Sequence, residues 1–257
     1  MTGSGTQADP YIVDNWADFV TAAGTSGAYV EFAADTVIDM DNVAPEGISG
    51  ITARCSSIDG KGASVKGIFF VSGGFTFVNY IEIKNLNLTE MRTLSGYALN
   101  HSENFVYRNC TITGSFAGTG IFSISGSSSL IDCCGFTVQL SGCVFGHGRE
   151  LPFRSSRIIC SGNPAFSGNL TSLRLENSLV QGEKLPIEYF WSSKTSIIDC
   201  VIHRSFNASG STNLLVNSDK IAEGVTVEYG RKVTTEQLKD AEYLASVGFP
   251  IVTEELI

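Results

Sequence analysis

The amino-acid sequence predicts an all-β chain: a right-handed, single-stranded parallel β-helix with an N-terminal capping helix and a C-terminal helix. Three observations carry this. Charged residues make up only 17% of the 257, against about 25% in a typical soluble domain, while 27 glycines and only 6 prolines favour short strands joined by turns. A six-residue frame recurs along the middle of the chain, most clearly at intervals of 22–24 residues. Helix signals stand only near the two ends.

The frame reads apolar, any residue, Asn/Asp/Gly, small or apolar, any residue, apolar. It occurs as Ile83-Lys84-Asn85-Leu86-Asn87-Leu88 and Tyr107-Arg108-Asn109-Cys110-Thr111-Ile112. It returns as Leu140-Ser141-Gly142-Cys143-Val144-Phe145, Leu175-Glu176-Asn177-Ser178-Leu179-Val180 and Ile197-Ile198-Asp199-Cys200-Val201-Ile202, with a partial copy in Leu130-Ile131-Asp132-Cys133. Its third position holds the residue types that tolerate a left-handed backbone. A strand that meets one such residue turns sharply and continues as a new strand. The bends are therefore expected at Asn85, Asn109, Gly142, Asn177 and Asp199; Asp132 competes with Gly142, because ten residues cannot make a coil, and Gly142 is preferred. The 35 residues from Gly142 to Asn177 contain Arg157-Ile158-Ile159-Cys160 and are expected to form an irregular coil with an inserted loop.

Three short strands and their turns need about 20–30 residues. A repeat of that length cannot bury an apolar face alone and must stack on its neighbours. Stacking would align the fourth frame position, Leu86, Cys110, Cys143, Ser178 and Cys200, as an inward ladder with a spacing of about 4.8 Å.

Residues 1–50 form the N-terminal cap of the β-helix, 51–230 its coils, and 231–257 a C-terminal helix and tail. In the first segment Pro10–Val13 reads as a strand. Asp14 is expected to cap a helix from Asn15 to Ala23, with Trp16, Phe19, Val20 and Ala23 on one face and Gly24 as its stop. Strands are expected at Tyr29–Phe32 and Thr36–Met40. At the other end Thr234 and Gln237 form a capping box that opens a helix running to about Ser246, ahead of Gly248 and Pro250. Helices at both ends would cover the exposed strand edges of the stack.

The net charge is −9. An acidic chain without a basic stripe is a poor ligand for nucleic acid or an anionic membrane. No apolar run approaches the roughly 18 residues of a membrane span. Met1–Thr6 has neither the basic nor the apolar region of a signal peptide, so folding in a reducing cytosol is expected. The seven cysteines are odd in number, form no C-x-x-C pair and lie in apolar stretches, which predicts free, buried thiols.

Few groupings suggest chemistry. Gly146-His147-Gly148 and Arg157-Ile158 resemble fragments of the polygalacturonase pattern. That pattern also needs adjacent aspartates and Arg-Ile-Lys; the chain has no Asp-Asp, and Ile159 follows Ile158. An inverting glycosidase needs two carboxylates across the scissile bond, and the neighbourhood of His147 supplies only Glu150. Asp35, Asp39, Asp41 and Asp59 are the densest acidic group but read as turn formers, and the histidines (101, 147, 203) show no ligand spacing. No catalytic residue, metal or cofactor is therefore assigned. Tyr189 and Trp191, flanking Phe190, form an apolar cluster read as core, with a partner or glycan contact as the other reading.

The two ends add a resemblance. Gly5-Thr6, Asp9-Pro10-Tyr11-Ile12-Val13, Trp16, Phe19, Gly27–Val30, Val37–Met40 and Ile58–Gly62 resemble pectin-lyase-like β-helix proteins of tailed bacteriophages and their prophages. The ending, Gln237–Ala241 with Tyr243-Leu244 and Gly248–Ile251, resembles the ends of the same proteins. The resemblance implies a non-enzymatic structural component of the virion (capsid surface, fibre, spike or tail), assembled in the host bacterial cytoplasm. It implies other virion proteins and copies of the same chain, in a trimer for instance, as partners, with host surface glycan as a further candidate. The alternatives are a polysaccharide lyase or glycoside hydrolase acting as a depolymerase spike, and a carbohydrate-binding adhesin.

Overall fold

The structure, a computed structural model, describes residues 1–141, 144–162, 166–168, 170–182, 187–190, 194–206, 210–221, 231–234, 236–237 and 240–246. It is a β-solenoid of about 6 turns, mostly parallel β-sheet with few helices.

Each coil contributes strands to three parallel sheets. The first sheet stacks Ile48–Ala53, Phe69–Phe77, Tyr97–His101, Gly120–Ile124 and the start of Val144–Arg154. The second begins with Tyr11–Val13 on Tyr29–Phe32 and continues through Ser57–Asp59, Ile81–Lys84, Phe105–Arg108 and Leu130–Asp132 to the end of Val144–Arg154, then Leu170–Glu176 and Lys194–Phe206. The third stacks Val37–Asp39, Ser64–Lys66, Asn87–Thr93, Thr111–Phe116, Gly135–Leu140, Arg157–Gly162 and Leu179–Gly182, again ending on Lys194–Phe206. Within the region expected to form coils, the parallel ladder reaches Lys194–Phe206; Gly210–Ile221 then pairs antiparallel to it, and Arg231–Val233 antiparallel to that.

The ends follow their local sequence. Helix α1 spans Trp16–Gly24 and presses Phe19, Ala22 and Ala23 onto the open end of the core. Its cap is Asn15, one residue later than expected: the Asn15 side chain accepts from the Asp18 N–H at 3.0 Å, while Asp14 accepts from the Asn15 amide at 2.8 Å. The strand expected over Thr36–Met40 is shorter, Val37–Asp39, because Asp39 accepts from the Asp41 N–H and caps a one-turn helix α2, Met40–Val43. The capping box is present: Thr234 N–H donates to Gln237 Oε1 at 2.8 Å and Gln237 N–H to Thr234 Oγ1 at 3.2 Å. Asp240 accepts from the Glu242 and Tyr243 N–H groups at the head of helix α3, Ala241–Ser246.

The bend between the second and third sheets is one residue long. Asn85, Asn109, Cys133, Ser155 and Asn177 have φ of 53°, 51°, 53°, 49° and 45°. Their spacing is 24, 24, 22 and 22 residues. The expected bends at Asn85, Asn109 and Asn177 stand there. Asp199 holds the same station inside Lys194–Phe206, between the pairs Glu176↔Ile198 and Leu179↔Val201. The preference for Gly142 over Asp132 is corrected: Asp132 pairs with Arg108, so Cys133 makes the turn, while Gly142 lies outside the described residues. The expected inserted loop is also absent from the described residues there. Arg157–Gly162 is a regular strand between Gly135–Leu140 and Leu179–Gly182, and the 35-residue interval resolves into bends at Cys133, Ser155 and Asn177.

A left-handed non-glycine residue costs about 1–2 kcal/mol, and asparagine is among the residues that tolerate it best. Asparagine also adds a bond. Asn109 Nδ2 donates to Asn85 Oδ1 at 2.9 Å, and Asn85 Nδ2 donates to Asp59 Oδ1 at 3.0 Å, so the side chains tie successive coils. Asn109→Ala is expected to destabilise the fold by about 1–3 kcal/mol, and Asn109→Gly by less, because glycine relieves the strain but not the lost bond. Cys133→Asn is expected to stabilise by about 1 kcal/mol. Urea denaturation checks all three; a destabilising Cys133→Asn would count against the bend assignment.

Candidate functional site

Immediately after each bend one side chain turns inward. Leu86, Cys110, Cys134, Ser156, Ser178 and Cys200 hold this position in successive coils and are all buried. Leu86, Cys110, Ser178 and Cys200 were expected in this ladder. Cys143 was expected too, but it lies outside the described residues and Cys134 fills that coil's place. Small polar groups recur here for a reason. Each can donate to the carbonyl two residues back, which also accepts the bend N–H of the preceding coil: Cys110 Sγ to Arg108 at 3.3 Å, Cys134 Sγ to Asp132 at 3.2 Å, Ser156 Oγ to Arg154 and Ser178 Oγ to Glu176, both at 2.8 Å. The hydroxyls also accept from the coil before: Cys134 N–H donates to Ser156 Oγ at 3.2 Å and Ser156 N–H to Ser178 Oγ at 3.1 Å.

In the ladder, the hydrogen bond between Cys110 and Cys134 lowers the pKa of Cys110 and, together with burial, raises that of Cys134. Outside the ladder, burial pushes Cys55 up to about 12. Cys55, Cys110, Cys133 and Cys134 are free thiols, as expected, but Cys133 is exposed rather than buried. The turn directs its side chain outward beside Asp132, and burial and that carboxylate raise its pKa.

The acidic residues of the N-terminal region do not converge. Asp35 sits in a turn with φ 58°, Asp39 caps α2, and Asp41 faces Arg92 at 3.2 Å. Asp59 is buried between Lys61 and Lys84, each at 3.4 Å. Its burial pushes the carboxyl pKa up. The Asn85 side chain, the Lys61 N–H and the two ammonium groups outweigh that and hold it below its ordinary value. Asp132 is likewise held low by a two-pronged bond from Arg154, at 2.9 and 2.7 Å, against partial burial. Among the described residues no three His, Cys, Asp or Glu side chains group as a metal site.

His147 is exposed on the outer face of the first sheet, paired with Ser123, its ring 5.9 Å from Tyr97. The following Gly148 has φ 111°, and a Cβ there would lie 2.0 Å from the Ile124 carbonyl oxygen, so the glycine serves coil packing. Tyr189 lies in the strand Ile187–Phe190, paired in parallel with Phe166–Gly168; Trp191 is outside the described residues.

Two features escaped sequence reasoning. His101 is fully buried, stacked between Phe77 and Phe105 with centroids at 4.7 and 4.0 Å, and its Nε2 is 3.2 Å from Tyr107 Oη. Burial lowers its pKa to about 3. The alternation of strand Tyr97–His101 places position 101 inward, in line with Phe77 and Ile124, and that alternation was the available signal. The second feature is a polar groove of about 600 Å³ on the third sheet, whose lining includes Asp41, Glu90, Arg92, Ser115 and Gln139. It originates in a bulge. Glu90, at φ 54°, is an extra residue between Leu88 and Met91, and its N–H donates to Thr113 Oγ1 at 3.0 Å. Opposite, Gly114 allows the strands to close, since a Cβ there would stand 2.0 Å from the Met91 oxygen.

No family model, no curated protein and no solved structure matches the chain.

His101 gives the fold a specific acid response. Its folded pKa lies below the unfolded value of about 6.5, so the unfolded chain takes up a proton that the folded chain rejects. Above about pH 6.5 the effect is nil; below it, stability falls by about 1.4 kcal/mol per pH unit until the pH reaches about 3. Asp59 and Asp132 also lose their contributions as their folded carboxyls protonate, so the comparison with a variant isolates the imidazole. Relative to the wild type, His101→Phe is expected to gain about 3 kcal/mol between pH 7 and pH 4.5, whatever its stability at pH 7. Denaturant midpoints across that range measure it; parallel curves would exclude a neutral buried imidazole.

Proposed function

We propose that this chain is a non-enzymatic structural protein of a tailed-phage virion, a capsid-surface, fibre, spike or tail component that uses its β-solenoid as a rigid scaffold. One observation carries the structural half of this reading: charged side chains on the second sheet tie successive coils together. Asp59 is held by Lys61, Lys84 and Asn85; Asp132 by Arg154; Glu82 by Arg108 at 3.5 Å. The ladder thiols and hydroxyls donate to bend carbonyls, and His101 is sealed among aromatic rings. A scaffold needs each coil fastened to the next, because solenoid stability is a sum of nearest-neighbour terms.

The virion half rests on the likeness of the two ends to phage β-helix proteins. Such a chain would have other virion proteins and further copies of itself as partners. Mass spectrometry of purified particles from the phage or induced prophage that encodes the chain tests this. The chain is expected in the particles at a fixed copy number relative to the major capsid protein; its absence from particles, with the protein present in the lysate, would overturn the reading.

A further inference from the structure

We propose that Cys110 and Cys134 form an oxidative modification site: a small peroxide joins them in a disulfide that locks two successive coils together from inside the ladder. The inference holds independently of the virion reading, since it concerns only this pair.

The register places the two thiols one above the other. Arg108 pairs with Asp132 and Thr111 with Gly135, so Cys110 and Cys134 hold one station in stacked coils. Neighbouring strands lie about 4.8 Å apart, inside the Cα separation of roughly 4.4–6.8 Å that a disulfide spans. Both residues are buried, and their thiols share a hydrogen bond. Cys110 follows Leu86, Cys134 precedes Ser156 and Cys200 follows Ser178, so this is the one thiol-on-thiol step among the described ladder residues.

The two thiols are unequal. The hydrogen bond with Cys134 favours the Cys110 thiolate and outweighs the burial that opposes it, so Cys110 ionises first and is the nucleophile. Its sulfur attacks one peroxide oxygen. The S–O bond forms, the O–O bond breaks, and the released hydroxide takes up the proton that Cys110 lost and leaves as water. The Cys134 sulfur then attacks the sulfenic sulfur of Cys110. The S–S bond forms, the S–O bond breaks, and the hydroxyl leaves with the Cys134 proton as a second water. The thiols lose two electrons and the peroxide gains them.

The new bond leaves no backbone group unpaired. The thiols give up their bonds to the Arg108 and Asp132 carbonyls, but those carbonyls keep the N–H groups of Asn85 and Asn109, at 3.0 and 3.1 Å. Each cysteine is only 3% exposed, which restricts the oxidant to a small one.

The test treats the reduced full-length chain with hydrogen peroxide under native conditions, alkylates the remaining thiols in urea, and cuts with trypsin and a protease that cleaves before aspartate. These cuts separate Asn109–Ile131 from Asp132–Arg149, and the two peptides are expected as one disulfide-linked species. Cys133→Ser and Cys143→Ser are expected to keep the link, and Cys110→Ser and Cys134→Ser to lose it. Serine already holds this station at Ser156 and Ser178. If a serine variant fails to fold, fragmentation of the linked wild-type peptides locates the bond. The oxidised chain is expected to melt about 5–10 °C above the reduced one, a difference absent in Cys134→Ser. Any of four outcomes overturns the proposal: no link between the two peptides, Cys110 linked to a different cysteine, a link that forms only when oxidation is run in urea, or an oxidised chain that melts no higher than the reduced one.

Discussion

The fold depends on what happens to the peptide groups at a one-residue bend. A left-handed residue that turns one strand into the next leaves the N–H and C=O groups around it without a partner in their own coil, and buried backbone groups cannot be left unpaired. Here neighbouring coils supply the partners. The N–H groups of Asn85, Asn109, Cys133 and Ser155 donate to the carbonyls of Arg108, Asp132, Arg154 and Glu176 in the next coil, at 3.0–3.1 Å. One position on, the carbonyls of Leu86, Cys110, Cys134 and Ser156 accept from Thr111, Gly135, Arg157 and Leu179, at 2.9–3.1 Å. No coil can make its bend alone, so the bend and the stack form together. The small polar residue behind the bend adds a side-chain donor to these same carbonyls of Arg108, Asp132, Arg154 and Glu176 from inside, which accounts for cysteine and serine at a core position.

The same constraint explains how much could be read from the sequence. Asparagine at Asn85, Asn109 and Asn177 marks the bend because it satisfies backbone and side-chain demands together, and those positions were legible. Cys133 and Ser155 were not, since neither residue type signals a left-handed turn, and Asp132 sits one residue early as a decoy. The ladder position was the steadier marker: Leu86, Cys110, Cys134, Ser156, Ser178 and Cys200 follow at 24, 24, 22, 22 and 22 residues. Searching for a small inward residue at that interval, with an apolar residue three before it, finds the bends that residue type hides. The groove was illegible for a different reason. Its shape comes from one extra residue, Glu90, facing a glycine a coil away, a juxtaposition visible only once the register is known.

Inside the bends the core is an aromatic column. His101, Phe105, Phe122, Phe145 and Phe153 follow one another with ring centroids 4.0–6.0 Å apart, so each coil rests on rings from the next. Outside, the third sheet leaves a polar groove where the charged residues are paired with one another. A solenoid built this way fastens each coil to the next from inside and outside the bend.

Amide hydrogen exchange tests the central claim most directly. If the bends are held by the coils around them, the N–H groups of Asn85, Asn109, Cys133 and Ser155 should exchange as slowly as those of the core strands Phe105–Arg108 and Thr111–Phe116, although each belongs to a turn near the surface. Exchange of these four amides at the rate of the exposed turn amides of Ala34 and Asp35, with the core strands still protected, would contradict the account.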